Sequence, residues 1–128
     1  TSAWLAHLFR PPGYAVVSDL LFYSDTHVGV SALSLVEIHS RLRGLHIERR
    51  YNEIIREYGN LFVGVVPVDE AVASRRILIR QTAAARIPAI DAMIAATASV
   101  QGAVLVHRDL HFAAVPPDLF QQLALPAG

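Results

Sequence analysis

The stretch at 103–112, AVLVHRDLHF, constrains the fold more than any other. Four apolar residues, Ala103 to Val106, run without interruption into His107, Arg108 and Asp109. A short apolar run ended by charge is the pattern of a strand buried on both faces, as in parallel sheets covered by helices. In open α/β sheets ligands bind at the C-terminal ends of the strands, and this strand carries an acid to that end.

The rest of the chain alternates in the same sense. TSAWLAHLF sets Trp4, Leu5, Leu8 and Phe9 at helical spacing and stops at Arg10-Pro11-Pro12-Gly13. A second helix is expected over 14–23, a strand over 27–32, and a helix over 34–43 closed by Gly44. An amphipathic helix follows over 47–58 and a strand over 61–68. Asp69-Glu70 start a helix to about Arg86, and Pro88 introduces the apolar helix AIDAMIAATASV at 89–100. Pro116-Pro117 are expected to open a short C-terminal helix. This order predicts an α/β fold in a single domain, residues 1–128, with a mostly parallel central sheet flanked by helices.

Composition narrows the class. A hydrophobic fraction of 53% against 17% charged residues excludes disorder and leaves apolar surface for a partner chain to cover. Net charge is zero, so no global basic field draws in nucleic acid and any such contact must be local. All 11 basic residues are arginine, the better bidentate ligand for phosphate. The absence of cysteine excludes disulfides and thiolate metal sites and allows a reducing cytoplasm. Asp91, Gln101 and Gly102 interrupt the longest apolar tracts below the roughly 18–20 residues of a membrane span. No signal peptide is expected from the N-terminal stretch, which lacks a basic region followed by an apolar one.

Three acids lie in otherwise apolar stretches. Glu37 fits a capping box beginning at Ser34, Asp91 lies where a helix dipole favours an acid, and Asp109 suits a turn after its strand. Each has a local explanation, yet in an α/β fold all three fall on the C-terminal side of the sheet. Carboxylates gathered there repel unless a divalent cation neutralises them, and oxygen-only donors favour Mg2+ or Mn2+ over zinc. Such a centre suits hydrolysis of a phosphodiester. His107 and His111 bracket Asp109, but strand-then-turn geometry does not give the helical H-x-x-x-H face of zinc sites. Arg41, Arg43, Arg49 and Arg50 form either a phosphate-contacting rim or a solvated helix face. No P-loop, G-x-G-x-x-G or G-x-S-x-G is present, and the absence of lysine argues against a receiver-like phosphoacceptor domain.

In order and spacing, TSAWL at 1–5, VSALSLVEI at 30–38, IDAMIAATA at 90–98 and VLVHRDLHF at 104–112 resemble the PIN-domain ribonucleases, most closely the VapC toxins of VapBC pairs. The resemblance implies an acidic Mg2+ site at Glu37, Asp91 and Asp109, with Mn2+ able to substitute. Thr1 and Ser2 would stand beside the metal, and His107 and Arg108 would flank the last acid; on the phosphate-rim reading of the arginine cluster, Arg41 and Arg43, with Arg108, would contact RNA. It further implies an endoribonuclease acting on structured RNA, a cognate VapB-like antitoxin and a homodimer. In the family the first strand ends in an aspartate just before the Thr-Ser pair, so a further strand and acid are expected ahead of Thr1. His111 stands where many relatives carry another acid, so the resemblance does not extend to a full second metal site.

Overall fold

The structure, a computed structural model, describes residues 1–126. It divides into two compact units, Thr1–Pro67 and, among the described residues, 68–126, each with its own apolar core.

The first unit begins with α1 (Ser2–Phe9), which stops as the sequence predicts. Arg10 takes the left-handed C-cap (φ 56), and Pro11 bars helical geometry at the residue before it. The helix expected over 14–23 is α only at α2 (Tyr14–Ser18) and widens into a π-helical turn over Asp19–Tyr23, leaving Phe22 and Tyr23 exposed. β1 (Val30–Ser31) pairs in parallel with β2 (Val65–Val66), and both are shorter than expected. Glycines account for this: Gly29 and Gly64 lie together, with no side chains to pack a longer ladder. From β1 the chain enters α3 (Ala32–Gly44) directly, and α4 (Tyr51–Gly59) follows. Trp4, Ile38, Leu42, Ile54 and Tyr58 form the core, with Trp4 edge-on to Phe62 at 5.0 Å between centroids.

Beside this core His7 stacks on Tyr14 and its Nδ1 lies 2.6 Å from the Tyr58 hydroxyl, while its Nε2 is buried with no partner. Burial, with the Arg10 cation second, holds His7 below its ordinary value. Burial, then Glu57 and Tyr14, pushes the Tyr58 hydroxyl up to about 12. At His7 the unfolded chain therefore takes up a proton more readily than the folded one. This contribution to stability is complete above the unfolded value of 6.5 and is lost as pH falls from there through the lowered folded value. Thermal melts between neutral and mildly acidic pH should show this decline. His7→Phe, which keeps the stack on Tyr14 but cannot be protonated, should flatten it.

In the second unit α5 (Glu70–Thr82) is capped by Asp69, whose Oδ1 accepts the Val72 N–H at 3.0 Å. It ends four residues before the expected Arg86, because Ala83 turns extended and the Ala84 N–H bonds the Ala114 carbonyl instead. α6 (Ala89–Gln101) runs from Pro88 to Gly102, which takes the left-handed closing position (φ 62). Its alanines, Ala95, Ala96 and Ala98, let Val72 and Ile79 of α5 pack closely, and Phe112, Val115 and Phe120 complete the core.

β3 (Val104–His107) pairs in parallel with β4 (Gln121–Ala124), from Val104↔Gln121 to His107↔Ala124. Burial rises along β3 from Val104 at 50% exposed to His107 at 4%, so the strand is less enclosed at its start than the sequence pattern implies. β4 replaces the helix expected after Pro116-Pro117. The prolines form a turn, with the Leu119 N–H on the Pro116 carbonyl, and the thirteen residues between the strands suffice for a parallel return. Among the described residues the α/β class and parallel pairing hold, in two two-stranded sheets instead of one continuous sheet. No described helix is long and apolar enough to cross a membrane.

Candidate metal centre

In the first unit the sequence offers two serines to start α3. Ser31 takes the cap, its Oγ accepting the Leu33 N–H at 3.2 Å, so the capping box beginning at Ser34 does not form. Ser34 becomes the third helical residue, 2% exposed, and Glu37 sits in the second turn with no terminal N–H to satisfy. Spaced i,i+3, the two share a face. The Thr1 hydroxyl meets both, lying 2.9 Å from Ser34 Oγ and in a short hydrogen bond to Glu37 Oε1. Ser34 is thus a site residue that sequence reasoning assigned to the cap. Ser2 begins α1 and is half-buried.

Arg41 and Arg43 are exposed in the last turn of α3, where cations complement the helix dipole. Arg50 pairs with Glu53 at 3.7 Å, the solvated-face arrangement, whereas Arg49 is exposed in the turn before α4.

In the second unit Asp91 is the third residue of α6, in the first turn as the dipole reading requires. Its side chain is only 19% exposed, and Oδ2 lies 3.0 Å from Nδ1 of His111, itself 53% exposed. With Nδ1–H donating, this contact fixes the carboxylate's rotation. His111→Ala should therefore free Asp91 and, on the expectation that Asp91 is a cation ligand, weaken divalent-cation affinity roughly 10–100-fold, the usual cost of losing a group that orients a ligand. His111→Asn, whose amide N–H reproduces the Nδ1 donor, should recover most of it, as Mn2+ titration calorimetry would read.

Asp109 follows β3 in extended geometry (φ −112, ψ 132) and heads the tight turn Leu110–Ala114, yet its side chain makes no capping bond. Its backbone N–H donates to His107 Nδ1 at 3.1 Å. His107 Nε2 bonds Gln122 Oε1 at 2.8 Å, and the Gln122 amide donates to the Phe112 carbonyl at 3.2 Å. Both nitrogens of this buried ring are engaged. His107 thus holds the Asp109 peptide from behind and offers no lone pair to a metal. Gln122, which sequence reasoning missed, completes the chain of bonds from β4, a strand where the sequence predicts a helix. Arg108, half-buried, joins His107 to Asp109.

Among the described residues, neither unit by itself gathers three His, Asp or Glu side chains into a metal-holding group. The donor chemistry fits Mg2+ nonetheless. The ion keeps several waters and is held through one or two carboxylates plus substrate phosphates in place of a dedicated cage. Glu37 and Asp109 are not spent on helix caps.

A family model described as PIN domain matches residues 1–116, and PIN domains are generally nucleases. VapBC2 from Rickettsia felis, solved bound to a DNA fragment from its promoter, is similar at TM-score 0.77 and 14% identity, covering 97% of this chain and 94% of that one. A toxin-antitoxin complex from Klebsiella pneumoniae is similar at 0.65 and 22%, covering 90% and 89%. VapBC-5 from Mycobacterium tuberculosis is similar at 0.55 and 18%, covering 76% and 98%. No curated protein matches the chain in sequence. At these identities the solved structures carry the fold, and the family model carries the kinship: this chain belongs to the PIN domain family.

Proposed function

We propose that the chain is a Mg2+-dependent endoribonuclease toxin that cleaves structured RNA, tRNA or ribosomal RNA, and is neutralised by a cognate VapB-like antitoxin. The observation that carries the reading is that Glu37, Asp91 and Asp109 each have a dedicated partner holding the residue in place, within a chain matched by the PIN model. The family match runs from residue 1 to 116, which supports reading both units as parts of one domain.

Glu37, Asp91 and Asp109 would hold the cation. When bound, Mg2+, or Mn2+ in its stead, supplies the charge that lowers the pKa of a water and offsets charge building on a phosphodiester. The Thr1 hydroxyl, itself in contact with Ser34 Oγ, orients Glu37, His111 fixes Asp91, and His107 with Gln122 fixes the Asp109 peptide. Ser2, one residue from Thr1, would stand beside the cation with it. Arg41, Arg43 and Arg108 would contact RNA phosphates. The product would carry a 5′-phosphate.

Exposed apolar side chains, Tyr23 at 82% and Leu110 at 89%, support an antitoxin and a homodimer partner. So do the toxin-antitoxin assemblies among the structural neighbours. A cytoplasmic setting accords with substrates of this kind. A second reading, an interaction module with purely structural acids, draws on the seat of Asp91 in the first turn of α6.

The test is incubation of the antitoxin-free protein with tRNA and ribosomal RNA in Mg2+, in Mn2+ and in EDTA, with mapping of the product ends. Discrete cuts that require the cation support the nuclease. Intact RNA in the presence of either cation, with the protein folded, supports the interaction module.

A further inference from the structure

Where α5 ends early and the chain turns to reach α6, the second unit contains a groove of about 520 Å3. Arg76, Arg80 and Arg86 line it, with Pro88, Ala89 and Ala92 of the α6 start, and no carboxylate is among its lining residues. None of the three arginines is in an ion pair among the described residues. In a chain of zero net charge, three guanidinium groups gathered around one hollow make a local cationic site of the kind a polyanion requires. Its volume is in the range of small-ligand pockets. α6 begins at this groove without a side-chain cap, and the positive end of its dipole adds to the potential of the arginines.

We propose that this groove is a phosphate-binding subsite that seats the RNA backbone on the second unit. The inference rests on the nuclease reading only for the identity of the polymer. It goes beyond that reading by adding arginines other than Arg41, Arg43 and Arg108. Planar guanidinium forks match phosphate oxygens bidentately, and three along one groove suit successive phosphates of a strand better than a single small anion. Asp91 stands between Ala89 and Ala92 on α6, so a strand held here runs beside a proposed cation-holding acid.

Arg80 and Arg86 are exposed, so Arg80→Ala/Arg86→Ala leaves the fold intact, and Arg76→Lys keeps the charge of the half-buried position. Binding of a short, fluorescently labelled 2′-O-methyl RNA, which resists cleavage, is measured by anisotropy in EDTA over a series of salt concentrations. The double variant should bind about tenfold more weakly at low salt, and its slope of log K against log salt should shrink by about 1.4, for two lost contacts to a single strand. Arg76→Lys should weaken binding with the slope unchanged. Unaltered affinity and slope in the double variant would overturn the subsite. So would loss of binding to a polyglutamate peptide with RNA binding intact, which would assign the groove to an acidic protein segment. Mn2+ calorimetry on the same proteins separates the two readings. Parent and variant should bind Mn2+ equally; if neither binds it while RNA affinity still falls, the nuclease reading fails and the subsite stands.

Discussion

Replacing Asp91 with asparagine is expected to lower Mg2+-dependent RNA cleavage by at least about 10^3-fold, since charge stabilisation by a bound cation contributes several kcal/mol to such a barrier. Folding should scarcely change. The amide is nearly isosteric, its oxygen can still accept from His111 Nδ1, and the lost charge at the α6 N-terminus costs only about 0.3–1 kcal/mol. Cleavage assays beside thermal melts read the two effects separately. A variant that melts near the parent and has lost cleavage places Asp91 in the chemistry. A variant that cleaves normally assigns it to the helix dipole.

Phe112→Ala is expected to remove about 3–5 kcal/mol of stability, a large share of the roughly 5–15 kcal/mol that holds a domain folded. The ring is 2% exposed and lies between His107, at 4.6 Å, and Phe120, at 6.3 Å between centroids. Its loss opens a cavity behind the imidazole that anchors the Asp109 peptide, and the melting temperature should fall by roughly 10 °C or more. Because His107 then has room to rotate, cation binding should weaken as well. Phe112→Leu fills most of the space and should recover most of both. If Phe112→Ala unfolds the second unit outright, the leucine variant still reads the coupling between packing and site.

These effects mark what was legible in the sequence. α1, α6 and the start of α5 could be read because their limits are local: Pro11-Pro12, Pro88, Gly102 and the Asp69 cap. The start of α3 was misplaced because Ser31 and Ser34 both offer a hydroxyl at a helix entrance, and only packing decides which one is buried within the helix. β4 was invisible: QQLA has no strand pattern of its own and is a strand because β3 pairs with it. The three acids stand out by their apolar surroundings, whereas Thr1 and His107 enter only through the family resemblance and nothing local ties His111 to Asp91. Thr1 is 36 residues from Glu37 and His111 is 20 from Asp91, separations that no local pattern spans.

The most direct test of the account is Mn2+ titration calorimetry on the parent protein, Glu37→Gln and Asp109→Asn, one substitution from each unit. Saturable binding by the parent, weakened at least about tenfold by either substitution, is the expected result and ties acids of both units to one cation. A folded parent that takes up no Mn2+, or whose binding survives both substitutions, would contradict it.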